Sequence, residues 1–309
     1  MSGSKIDPIS SLDGRYRDEE VERYLGEGAF HRVKCKVEES LALALSNCDL
    51  CPAVVAEEIV RACKLVTPDE VDAEEKHTRH DIKALVNCIR AKVSDAAKPF
   101  VHLGATSYDV VSTANGLMFQ GAILDLLIPR LTDLLATLIA LTVREKDTVQ
   151  IGRTHGQHAV PITFGFAIAG YVSRLGGCIL ELRRLSDGLC GKYAGPVGAY
   201  NAQLLMTPDV ERLELVLTTG LCGIHPAEIS TQIVPPEPMV RLFSEVVTTA
   251  GVMADLANDM RQLQRTESAE VAEAYKAKTQ TGSSAMPQKK NPINFEKVVS
   301  WWKGMLGRM

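Results

Sequence analysis

Long runs of apolar residues with helical spacing constrain the fold of this chain more than any other feature. In the first run, leucines recur at intervals of three, four or seven residues: Leu117, Leu124, Leu127, Leu131, Leu134, Leu138 and Leu141. Similar runs extend from Phe164 to Leu185 and from Leu242 to Leu263. Seams of this kind pack against one another and often extend into subunit contacts. The sequence therefore predicts an all-α protein built on a bundle of long helices, with a kink at Pro129.

The chain before these runs has a different pattern. From Glu20 to about Lys98 the helical spacing comes in shorter pieces, interrupted at Gly26/Gly28, Cys51-Pro52 and Thr67-Pro68. Thr67 is placed to cap a helix with Pro68 and Glu70 in its first turn. At 309 residues the chain also exceeds the size that usually shares one core. We therefore predict an N-terminal helical domain, residues 1–104, and a long-helix bundle domain, residues 105–309.

Composition excludes several classes of partner. The net charge of -4 gives no general attraction to nucleic acid or to an anionic membrane, so neither is predicted as a partner. Apolar runs fall short of the roughly 20 residues of a membrane span, and the N-terminus lacks a signal-peptide pattern. The eight cysteines are scattered, as in the reduced thiols of cytoplasmic proteins, and the CxxC at Cys48 and Cys51 lacks a second pair for zinc. A cytoplasmic location with no metal is predicted.

The stretch TGSSAMPQKKNP, residues 281–292, is the strongest candidate for an anion-binding loop. Gly282 and the serines at 283 and 284 supply a donor-rich backbone, and Lys289 and Lys290 supply positive charge. Pro292 suits the first turn of a following helix, whose N-terminal amides also favour negative charge. The alternative is an ordinary surface loop with solvated lysines.

Histidines are the first candidates for acid and base groups because they titrate near neutrality. His155 lies in a polar connector between long helices, and His80 lies between Arg79 and Asp81. His77 and His80 are three residues apart and would share one face of a helix. Ser283 could serve as a base only if cations and backbone donors stabilised its alkoxide. The residues alone thus indicate an anion-handling site with acid/base histidines.

Several separated segments resemble the signature regions of the fumarase/aspartase superfamily. They are HLGATSYDVVSTA (102–114), GRTHGQHAVPITFG (152–165) and GSSAMPQKKNP (282–292), in the order of that superfamily. SLDGRY (11–16), RHD (79–81) and RTHGQHA (153–159) are most similar to the adenylosuccinate lyase family.

This resemblance implies an all-α fold whose long helices form the core of a homotetramer, with each active site shared by three subunits. It also implies a cofactor-independent β-elimination of fumarate from adenylosuccinate, giving AMP, and from the ribotide SAICAR, giving AICAR, in purine biosynthesis.

The resemblance also implies roles for individual residues. Ser283 would be the base and His155 the general acid, with assistance from His80. Arg15 and Tyr16 would bind the phosphate of the substrate. The remaining implied substrate-binding residues are Arg79, Asp81, Thr106, Ser107, Thr154, Gln232, Lys289 and Asn291.

Departures from the family pattern leave alternatives open. The motif QKKNP (288–292) resembles argininosuccinate lyases as much as adenylosuccinate lyases, so the substrate assignment depends on SLDGRY and RHD. Family members continue beyond the helix that opens near Pro292 into a C-terminal helical domain, and they often carry an arginine near Lys297. A chain ending at Met309 is therefore expected to be an incomplete form of the enzyme or an inactive structural or regulatory homologue.

Overall fold

A computed structural model of the chain describes residues 16–275, 282–283, 285–286 and 288–308. The predicted site residue Arg15 and the second serine of the signature loop, Ser284, lie outside the described residues. Helices dominate, and the strands are short, which confirms the all-α prediction. The chain divides into two compact units, Met1–Leu127 with Ser186–Met239, and Ile128–Leu185 with Val240–Met309. The boundary predicted after Gly104 differs from this division and stays a prediction.

The first unit begins with a series of amphipathic helices. They are α1 (Glu19–Leu25), α2 (Glu27–Asn47), α3 (Ala53–Leu65), α4 (Pro68–Thr78) and α5 (Asp81–Arg90). Leu45 of α2 and Leu85 and Ile89 of α5 are fully buried, and each such side chain contributes about 1.5–3 kcal/mol by leaving water. These helices therefore supply part of the core of the first unit, and Ala114 and Leu217, which lie further along the chain, complete it.

The ends of α4 show where local chemistry decides the fold. Its start confirms the predicted cap, because Thr67 and Glu70 form a reciprocal capping box. Its end is set by Arg79, which adopts the left-handed conformation at φ 51°. His80 then caps α5, with its Nδ1 accepting a hydrogen bond from the Lys83 amide at 3.3 Å. His77 and His80 therefore belong to different elements, and the prediction of a shared helical face is wrong.

The first predicted long helix contains three segments. These are α6 (Ser107–Gly121), a π-helical turn (Ala122–Leu127) and α7 (Ile128–Arg144). The other two predicted long helices are confirmed as α8 (Phe164–Asp187) and α10 (Glu237–Leu263). The short elements between them in the chain are β3 (Cys190–Gly191), α9 (Val210–Leu215), a second π-helical turn (Val216–Cys222) and β4 (His225–Pro226). A last helix, α11 (Ile293–Leu306), follows Pro292 as predicted.

Two helical stretches pass a length-and-composition test for crossing a membrane. They are Ser107–Arg144 and Phe164–Asp187. In the most apolar 18-residue part of each stretch, 17% and 28%, respectively, is buried within this chain. Core helices of soluble proteins pass the same test, so length and composition alone do not assign a membrane location.

The polar connector between α7 and α8 contains regular structure. It forms an antiparallel hairpin of β1 (Val149–Thr154) and β2 (Gln157–Thr163). His155 and Gly156 form its tip with φ angles of 56° and 73°, the positive values that a two-residue type I′ turn requires. The hairpin places His155 at an exposed turn of the second unit.

Candidate active site

The first unit joins two of the predicted site residues directly. Ser107 Oγ lies 3.1 Å from His80 Nε2. Because His80 Nδ1 accepts the Lys83 amide, the neutral imidazole carries its proton on Nε2 and donates it to Ser107. The Ser107 hydroxyl is then free to donate its own hydrogen to an anionic group.

The residues that flank this pair are held or exposed in different ways. Asp81 lies 3.4 Å from Lys34 Nζ, an ion pair at the edge of α2 and α5. Arg79 is exposed, and its guanidinium makes no hydrogen bond to the described residues. Tyr16 and Gln232 are also exposed. The structure therefore brings His80, Asp81 and Ser107 together in the first unit and leaves the other side chains open to solvent.

Thr106 is fixed by a buried carboxylate. Asp109 completes a capping box at the start of α6 by accepting the Thr106 amide at 2.8 Å. The same carboxylate accepts the amides of Ala194 and Gly195 at 3.2 and 3.3 Å and forms a salt bridge with Lys192. Both charged side chains are buried, with 0% of Lys192 and 3% of Asp109 exposed. The backbone at Thr106 and Ser107 is thus anchored to the segment that follows α8.

His102 makes a second buried contact in the same region. Its Nδ1 lies 2.6 Å from Glu38 Oε1, and the Glu38 side chain is 1% exposed. Burial of His102 lowers the pKa of its imidazole, but the nearby Glu38 carboxylate and its hydrogen bond outweigh that effect, so the net pKa is raised above 6.5. His102 therefore favours its charged form, paired with Glu38.

In the second unit, the hairpin carries Thr154 and His155 at its exposed end. Its base is tied down by Glu270, which accepts hydrogen bonds from Gln150 at 2.9 Å and from Arg153. The Arg153 hydrogen bond is the main cause that lowers the pKa of Glu270. No hydrogen bond between described residues joins His155 to Ser283.

The signature loop surrounds Ser283 Oγ with backbone donors. The amides of Ala285 and Met286 point at this oxygen from 3.3 and 3.2 Å. Asn291 Nδ2 donates to Gly282 O at 2.7 Å, which closes the loop on itself. A side chain at Gly282 would place its Cβ 1.9 Å from Lys289 O, so only glycine permits this closure. Two aligned amides are the kind of environment that stabilises a serine alkoxide.

Positive charge gathers beside the same loop. A depression of about 840 Å³ in the second unit is lined by Arg261, Arg265, Lys289 and Lys290, with Glu296 as its one lining acid among the described residues. The excess of cations matches the requirement for an anionic substrate on a chain that is acidic as a whole.

Possible metal-ligating side chains do not cluster in the part of the chain that the structure describes. No group of three His, Cys, Asp or Glu side chains there could hold an ion. Cys48 and Cys51 are free thiols, and burial raises the pKa of each.

Sequence reasoning missed the buried residues that hold this site. Glu38, Asp109 and Lys192 are charged residues in stretches that also carry other polar residues or glycines. Asp109 alone carried a local signal, because it stands three residues after Thr106, the spacing of a capping box. Its pairing with Lys192 links positions 83 residues apart, which no local pattern reveals.

Solved structures with this arrangement of helices define the class of fold. A fumarate lyase from Mesorhizobium sp. BNC1 superposes with a TM-score of 0.81 at 21% identity, covering 94% of this chain and 64% of that one. A 3-carboxy-cis,cis-muconate lactonizing enzyme from Pseudomonas putida gives 0.82 at 24% identity, covering 96% of this chain and 65% of that one. At these identities the likeness shows the fold alone.

The sequence comparisons give the family. A family model described as "Lyase" matches residues 14–306, so the chain belongs to this lyase family. Relatives include adenylosuccinate lyases from Methanothermobacter thermautotrophicus, 37% identical over 85% of this chain, and from Pyrococcus abyssi, 35% identical over 94%. The adenylosuccinate lyase from Methanocaldococcus jannaschii is 31% identical over 96%. The chain spans 58% to 64% of the length of these relatives.

Proposed function

We propose that this chain performs the chemistry of an adenylosuccinate lyase, the β-elimination of fumarate from adenylosuccinate and from SAICAR in purine biosynthesis. The observation that carries the proposal is the environment of Ser283, whose Oγ receives two backbone amides beside a cluster of lysines and arginines. The names of the curated relatives agree with it.

The proposed reaction starts at the carbon beside a substrate carboxylate. Ser283, as the alkoxide held by the Ala285 and Met286 amides, removes the proton and leaves a carbanion, which is stabilised as an aci-carboxylate. Lys289 and Asn291 hold carboxylate oxygens and lower the energy of the added charge. The carbon–nitrogen bond then breaks as His155 protonates the leaving nitrogen.

The residues of the first unit bind the substrate in this proposal. Ser107 Oγ accepts a hydrogen bond from His80 Nε2–H and directs its own hydroxyl hydrogen at a substrate carboxylate. Thr106 adds a second hydroxyl. The other proposed contacts are Arg15, Tyr16, Arg79, Asp81, Thr154 and Gln232.

We also propose a cytoplasmic homotetramer with active sites shared between subunits. The low burial of the two long apolar stretches within one chain supports it, since a helix bundle with other copies would cover them. Sedimentation would test this part separately, and a monomer at micromolar concentration would overturn it.

Fumarate release tests the activity. The pure chain is incubated with adenylosuccinate and, in parallel, with argininosuccinate. We expect release from adenylosuccinate and at least about a 10²-fold loss of turnover in Ser283→Ala and in His155→Gln, because each removes a proton-transfer partner. Ser300→Ala, an exposed serine on α11, is the matched control.

Release from argininosuccinate alone would show the other lyase activity. Turnover of neither substrate would identify an inactive homologue.

A further inference from the structure

Buried side chains from the segment after α8 hold the loop that precedes α6. Together with Ser107, the first residue of α6, the loop that begins at His102 is called loop 102–107. Tyr193 Oη donates to Leu103 O at 2.6 Å, and Gln203 Nε2 donates to Gly104 O at 3.0 Å. Tyr193 and Gln203 are 1% and 0% exposed. Two consecutive carbonyls of the loop are therefore held by donors 90 and 99 residues further along the chain, a separation far beyond any local turn.

The loop packs against Tyr193 so closely that a side chain at Gly104 would collide with it. Gly104 has φ +72°, and a Cβ there would lie 2.7 Å from both Tyr193 Oη and Met206 Cε. Burial also raises the pKa of Tyr193, so the phenol keeps its proton and remains a donor at neutral pH. The hydroxyl thus sets the position of the loop backbone directly.

Gln203 has one end of its side-chain amide paired and the other end unpaired. Its Nε2 donates to Gly104 O and, at 3.3 Å, to Tyr193 O, which fixes the orientation of the amide. The other end of the amide, Oε1, is buried without a partner among the described residues. An apolar side chain of similar shape would avoid that unpaired oxygen. A glutamine at this position is therefore better explained by what its donors hold than by stability alone.

We propose that Tyr193 and Gln203 are positioning residues that fix loop 102–107 and thereby keep Ser107 Oγ within hydrogen-bonding distance of His80 Nε2. The loop ends at Thr106 and Ser107, so a shift of its carbonyls changes where these hydroxyls point. Only the consequence for catalysis rests on the proposed function, and the geometry can be tested without turnover.

The test compares Tyr193→Phe and Gln203→Met with the natural chain. Backbone amide exchange of Ala105 and Thr106 and the nitrogen chemical shift of His80 Nε2 are followed by NMR. We expect at least about fivefold faster exchange at both amides in each variant, because each loses a hydrogen bond that restrains the loop, and a shifted His80 Nε2 signal. Thr218→Val is the matched control, since it removes one buried hydrogen bond elsewhere in the same unit.

The outcomes separate positioning from general destabilisation. Unchanged exchange and an unchanged His80 signal in Tyr193→Phe would overturn the inference, as would equal changes in Thr218→Val. Tyr193→Phe keeps the ring and removes only the hydroxyl, so it decides the question even where Gln203→Met fails to fold.

If the natural chain releases fumarate, we expect both variants to raise KM for adenylosuccinate more than they lower kcat, because the loop binds substrate and does not transfer the proton. An inactive natural chain would refute the proposed activity while the exchange data still decide the positioning role.

Discussion

Replacing Lys192 by methionine removes a buried positive charge and keeps the length of the side chain. Lys192 Nζ forms a salt bridge with Asp109 Oδ1 and donates a hydrogen bond to Gly195 O at 2.9 Å. The Lys192 side chain is 0% exposed. The variant leaves the Asp109 carboxylate buried without its cation. Asp109 keeps the amides of Thr106, Ala194 and Gly195 as donors.

The size of the effect follows from this arrangement. Removing one partner of a buried ion pair costs about 3–5 kcal/mol, and the three remaining amides favour the lower end, about 3 kcal/mol. For a domain of this size each kcal/mol lowers Tm by about 2–4 °C, so the expected drop is about 6–12 °C.

Thermal unfolding followed by far-UV circular dichroism measures this cost. Asp109→Asn and the double variant Asp109→Asn/Lys192→Met complete a mutant cycle. The double variant should be closer in Tm to the natural chain than Lys192→Met is, because it buries no unpaired charge. A Lys192→Met variant within about 1 °C of the natural chain, or a double variant whose losses simply add, would refute the reasoning.

Further predictions concern single contacts. The raised pKa of His102 means that its pairing with Glu38 stabilises the fold fully below pH 6.5, and that this contribution is lost as pH rises through the folded-state pKa. The Tm difference between the natural chain and His102→Gln should therefore be larger at pH 6 than at pH 9. A Tm difference that grows with pH would contradict this prediction. Thr67→Ala should cost about 0.5–2 kcal/mol in urea unfolding through the lost cap of α4, whereas Thr137→Ala, an exposed helical threonine, should cost less. Gly104→Ala should lower the free energy of unfolding by more than about 1 kcal/mol in the same assay, because Gly104 has a positive φ and contacts Tyr193. An unchanged urea midpoint would show that the loop shifts to accommodate the added methyl group.

Much of the helical framework was predictable from local chemistry. The cap at Thr67, the start of α11 after Pro292 and the two later long helices follow from side-chain capping, proline geometry and apolar spacing. The break at Arg79 was not predictable, because an arginine carries no intrinsic preference for the left-handed conformation that it adopts.

The candidate site divides in the same way. Ser283 and the residues of the signature loop could be identified from the sequence, but the two amides that face Ser283 Oγ depend on the folded turn. The hairpin around His155 was not predicted, because Gly152 and Pro161 lie within its strands and interrupt the alternation of apolar and polar residues that marks a buried sheet. Buried pairs such as Asp109 with Lys192 require tertiary structure, since their charges look like solvated residues in the sequence.

The position of α11 makes the chain convenient for optical study. Both of its tryptophans, Trp301 and Trp302, lie on this helix, and Trp302 Nε1 packs against α10 at Gly251. Tryptophan emission therefore reports the second compact unit alone, whereas circular dichroism reports helices of both. A fluorescence transition that coincides with the dichroism transition would show that the two units melt as one cooperative system, and an earlier one would show that the unit carrying the signature loop melts first.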